Sequence, residues 1–72
     1  MPVVFIEAPP GIRGEAKKNM LEKITAAIDE AYRIGDTLIF LREYPPENVA
    51  MDGKLQSDNP KILEALRKIS RQ

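Results

Sequence analysis

The sequence predicts an α/β (α+β) protomer: a single β-α-β unit with parallel strands, followed by a short hairpin and a C-terminal helix. Three observations carry this. Two β-branched and aromatic runs, Val3-Val4-Phe5-Ile6 and Thr37-Leu38-Ile39-Phe40-Leu41, read as strands. The residues between them place apolar side chains at three- and four-residue steps, which is helical spacing. A crossover of that length lets the two strands lie parallel.

The first strand, about residues 2–7, has apolar side chains on both faces, the pattern of a strand buried on both sides. Ala8-Pro9-Pro10-Gly11 ends it, because two prolines and a glycine break any periodic structure. A helix is expected over about 15–33, with Met20, Leu21, Ile24, Ala27, Ile28, Ala31 and Tyr32 as its apolar stripe. Lys17, Lys18, Glu22, Lys23, Asp29 and Glu30 form a solvated face, and Gly35 supplies the C-terminal stop. The second strand, 37–43, runs apolar until its charged end at Arg42-Glu43.

After Tyr44, Pro45-Pro46-Glu47-Asn48-Val49 is a loop, and Asp52-Gly53 marks a tight turn within a short hairpin. Asn59 then stands where a helix cap belongs and Pro60 where a helix opens. Ile62, Leu63, Leu66 and Ile69 form a narrow stripe on that last helix. It is too short to hold in water unless it packs on a neighbour. The whole chain, 1–72, reads as a single domain, with 57–72 as its C-terminal helical part.

Composition narrows the function. A chain of 72 residues buries only about 60% of its unfolded surface, so its core is marginal. It has no cysteine for a disulfide and no histidine for a metal site, which leaves self-association as the staple. Lysine plus arginine balances aspartate plus glutamate at 11 each, so there is no general attraction to nucleic acid. The chain lacks an apolar run of about 20 residues and a basic-then-apolar leader, so no membrane partner is expected and the localisation reads as cytoplasmic.

One residue suggests chemistry. Pro2 follows Met1, and removal of the methionine would leave a secondary amine on a rigid ring at the head of a strand. Apolar surroundings favour the neutral form of an amine, and a base works best when its pKa lies near the working pH. The plainer reading is that proline simply begins a strand, where its missing N–H is not needed.

The ordered set of features, Met1-Pro2 opening a strand, Gly11 in the next loop, one long helix, a strand ending Arg42-Glu43, then Pro45-Pro46-Glu47-Asn48 and Asp52-Gly53, resembles the 4-oxalocrotonate tautomerase family over about residues 2–55. The resemblance implies a tautomerase-like protomer that dimerises into a four-stranded sheet, with three dimers making a hexamer. It implies a cofactor-independent tautomerase, an isomerase in which Pro2 moves a proton between carbons of a 2-hydroxydienoate, enol or 2-oxo acid. Arginines would hold the oxygens of a small-molecule carboxylate substrate.

The arginines depart from the family pattern. The first expected position holds Ile12, with Arg13 one place later, and the second holds Leu38, with Arg42 four residues on and on the same strand face. Val49 aligns near an apolar residue that closes the family's pocket, and relative to the family's short members 57–72 is a C-terminal helical extension, expected to cover an adjacent protomer. Each has a plainer reading: Arg13 as a solvated loop charge, Arg42 as a surface or intersubunit ion pair, and Phe40 and Val49 as packing. The competing classes are a homo-oligomeric enzyme, a subunit of a mixed hexamer containing a paralogous chain, and a non-catalytic β-α-β oligomeric module.

Overall fold

A computed structural model describes residues 1–70. Strand β1 (Val3–Ala8) leads through the Pro9-Pro10-Gly11 loop into helix α1 (Gly14–Tyr32), which returns the chain to strand β2 (Leu38–Glu43). A 3-10 turn at Pro46–Asn48 precedes the hairpin β3 (Ala50–Met51) and β4 (Lys54–Leu55). A second 3-10 turn, Gln56–Asp58, leads into helix α2 (Pro60–Ser70). No helix among the described residues is long and apolar enough to cross a membrane.

β1 and β2 pair in parallel, with Val3 opposite Leu38, Phe5 opposite Phe40 and Glu7 opposite Arg42. The ladder runs one residue further at each end, where Leu38 N–H donates to the Pro2 carbonyl and Tyr44 N–H to the Ala8 carbonyl, both at 3.0 Å. Period-2 alternation then divides the side chains. Val4, Ile6, Ala8, Ile39 and Leu41 are half-buried, while Val3, Phe5, Leu38 and Phe40 stand exposed on the opposite face.

α1 covers one face only. Its half-buried residues include Ala16, Met20, Leu21, Ile24 and Ile28, spaced at helical steps, whereas Ala27, Ala31 and Tyr32 of the expected stripe are exposed. Two members of the expected solvated face have partners elsewhere. Lys17 pairs with Glu43 at the end of β2, and Thr37 Oγ1 donates to Asp29 Oδ1 at 2.7 Å. These contacts tie the two ends of α1 to the two ends of β2. The helix stops on Arg33, in the left-handed region at φ 58° with its N–H on the Asp29 carbonyl, and not on Gly35.

The hairpin follows its turn residues. Asp52 and Gly53 both take positive φ, 56° and 82°, as a tight two-residue hairpin turn requires. At the start of α2, Asn59 Oδ1 accepts from the Lys61 N–H at 3.0 Å, the expected cap. Ile62, Leu66 and Ile69 are half-buried and Leu63 is exposed. Part of this stripe faces its own protomer, since Leu63 and Leu66 share a hollow with Pro10 and Gly11.

The expectation that the strands are buried on both faces fails for one protomer. No described residue is fully buried, and the Cα radius of gyration is 14.9 Å, where a compact 72-residue chain measures about 11 Å. The accessible surface, 5715 Å², likewise exceeds the roughly 4,500 Å² expected of a compact 8.1 kDa monomer. The physical reason is architectural: one helix shields one side of two strands, and no described residue shields the other.

Candidate active site

Pro2 immediately precedes β1, and its backbone is fixed by the bond from Leu38. It is half-buried in an open hollow of about 520 Å³, lined with it by Met1, Val3, Val4, Ile28, Tyr32 and Ile34. Among the described residues that lining contains no charged side chain. Met1 is 70% exposed at its edge.

Arg42 lies at the other end of the sheet, on its exposed face. Its Nε is 4.0 Å from Glu7 Oε1, and the Tyr44 hydroxyl donates to the same oxygen at 3.4 Å. The parallel register makes this cluster: Glu7 and Arg42 are direct cross-strand partners, and Tyr44 is two residues further along the same face. Val49 lines an open cleft of about 590 Å³ beside the cluster, together with Glu7, Pro9, Tyr44, Pro46 and Ile62. Arg42 and Val49 are site residues expected from the sequence, whereas Glu7 and Tyr44 join them only through the strand register, which needs both strands aligned.

Arg13 caps α1 through its backbone, with φ −72°, ψ 150° and its carbonyl accepting from the Lys17 N–H at 2.9 Å. Its side chain makes no capping hydrogen bond and lines a shallow hollow on the helix with Glu15, Asn19 and Glu22. The guanidinium therefore stands at the helix end that already carries positive partial charge. Gly11, two residues before it, takes φ 99°, a conformation that L side chains rarely adopt, and this lets the loop turn from strand to helix.

Within one protomer the candidates divide. Arg42 and Val49 flank one cleft region, whereas Pro2 sits about 15 Å away along the strands. Arg13 is further still, since the 19 residues of α1 span about 28 Å and Tyr32, at its far end, shares the hollow of Pro2. A proton-transfer site that uses Pro2 with either arginine must draw them from different protomers.

No family model and no curated protein matches the chain. A solved structure does: a chain of a heterohexamer 4-oxalocrotonate tautomerase from Chloroflexus aurantiacus J-10-fl, in the tautomerase superfamily, superposes with a TM-score of 0.72. The match has 20% sequence identity and covers 82% of this chain and 98% of that one. At that identity the likeness establishes the fold, a tautomerase-like β-α-β protomer.

Proposed function

We propose that the chain, once Met1 is removed, is a cofactor-independent tautomerase that works as an oligomer. The observation that carries this reading is Pro2 at the head of a β-α-β unit of tautomerase-like fold, in a hollow without charged lining. An apolar surround favours the neutral amine, the form that accepts a proton. The Pro2 nitrogen takes a proton from the hydroxyl or carbon of a 2-hydroxydienoate, enol or 2-oxo acid and returns it to another carbon. The negative charge that develops on the substrate oxygen is held by a guanidinium, with Arg42 and Arg13 of neighbouring protomers in that role. Val49 forms part of the apolar wall against which the substrate rests.

The assembly is a homo-oligomer, a hexamer built as a trimer of dimers, in which the exposed sheet faces are covered. A mixed assembly with a paralogous chain is the second reading, supported by the heterohexameric state of the structural neighbour. In both, residues 1–72 act as one domain in the cytoplasm, with the C-terminal extension lying against an adjacent protomer.

The test combines intact-mass analysis with ketonisation of phenylenolpyruvate on the same sample. Protein lacking Met1 should turn over the enol, and a form retaining Met1 should not, because acylation turns the proline nitrogen into an amide without basicity. Pro2→Ala, which leaves a primary amine, should retain weakened turnover. Equal rates with and without Met1 would refute the mechanism.

A further inference from the structure

We propose that Glu7 selects the charge of the substrate, so that the acid accepted is a monocarboxylate enol or 2-oxo acid with an apolar remainder and not a dicarboxylate. The inference rests on the reading of Arg42 as a group that grips the substrate carboxylate. Glu7 approaches the guanidinium only through Nε, at 4.0 Å, so a ligand carboxylate can engage the terminal nitrogens without displacing it. The Tyr44 hydroxyl also donates to Glu7 Oε1, at 3.4 Å, so the carboxylate has a second polar neighbour on the same sheet face.

Glu7 is also part of the wall of the adjoining cleft of about 590 Å³. The wall is apolar at Pro9, Pro46, Val49 and Ile62, and among the described residues no lysine or arginine lines it. An acid anchored on Arg42 therefore extends past the Glu7 carboxylate into an apolar surface. An alkyl or aryl remainder buries apolar area there. A second carboxylate lying in that wall meets the like charge of Glu7 and no lysine or arginine among the described residues of the same protomer.

The experiment measures kcat/KM of the assembled, Met1-free protein for phenylenolpyruvate, an aryl monocarboxylate, and for the enol of oxaloacetate, a dicarboxylate. Wild type should prefer the monocarboxylate. Glu7→Gln, which keeps an oxygen to accept from Tyr44, should raise the dicarboxylate-to-monocarboxylate ratio about two- to fivefold, through KM with kcat held, and the change should fade at high salt. Val49→Arg, which puts a cation in the wall, should move the ratio the same way. A wild-type preference for the dicarboxylate, or a ratio unmoved by both substitutions, overturns the selection by Glu7 while leaving the tautomerase reading intact. Turnover of neither enol overturns the tautomerase reading and the inference with it.

Discussion

Arg13 is a poor residue for the position it holds. A helix N-cap favours a short side chain that accepts from a free backbone N–H, and Arg13 supplies a cation beside the positive end of α1 with no capping bond. Such a residue weakens the fold locally, and under the proposed function a substrate carboxylate would be attracted to the guanidinium and the helix end together. Arg13→Ser should therefore separate stability from function. It should raise unfolding stability by about 1 kcal/mol in denaturant titration, and raise KM for an acid substrate with little change in kcat. An unchanged KM would return Arg13 to an ordinary solvated charge. Arg33 is a second such position: it takes the left-handed conformation that glycine adopts freely, while Gly35, two residues on, does not have positive φ.

At the scale of elements, what was legible in the sequence was what is locally encoded. The helical spacing of α1, the β-branched runs of β1 and β2, the Asp52-Gly53 turn and the Asn59-Pro60 start of α2 all depend on residues close in sequence, and these elements form where their patterns place them, although the last part of the α1 stripe is exposed and the helix stops on Arg33. What depended on distant partners was not legible. Lys17 and Asp29 look solvated until Glu43 and Thr37 are brought beside them, and the Glu7, Arg42 and Tyr44 cluster exists only once the register is known. The separation of Pro2 from both arginines is of the same kind, a consequence of strand direction and helix length. α2 provides a test of how independent the elements are. It neighbours the 3-10 turn Gln56–Asp58, and Leu63 and Leu66 share an open hollow with Pro10 and Gly11, so loss of its cap should be felt there and not in the sheet. Asn59→Ala should cost about 1 kcal/mol of local stability, seen as faster hydrogen exchange across α2 with β1 and α1 unaffected. Equal loss of protection throughout would show that α2 is integral to one cooperative unit.

The molecule as a whole has too little interior to be stable alone. The surface in excess of a compact monomer, roughly 1,200 Å², is more than the ~800 Å² that each partner gives up in a standard interface. Its most continuous apolar part is the open sheet face, where Phe5 is 64% and Phe40 50% exposed and their rings stack with centroids 5.3 Å apart. Burying that face links folding to association, so stability should depend on mass action. The unfolding midpoint should rise with protein concentration, and sedimentation should find a species larger than 8.1 kDa at every concentration where the chain is folded. Phe40→Glu places a charge in the middle of the apolar face and breaks the stacked pair. It should give a monomer with reduced helical circular dichroism, because α1 covers only one side of the sheet and cannot hold the strands by itself. A midpoint independent of concentration in the wild type, with Phe40→Glu folded and unchanged in size, would show that two strands and a helix are self-sufficient here.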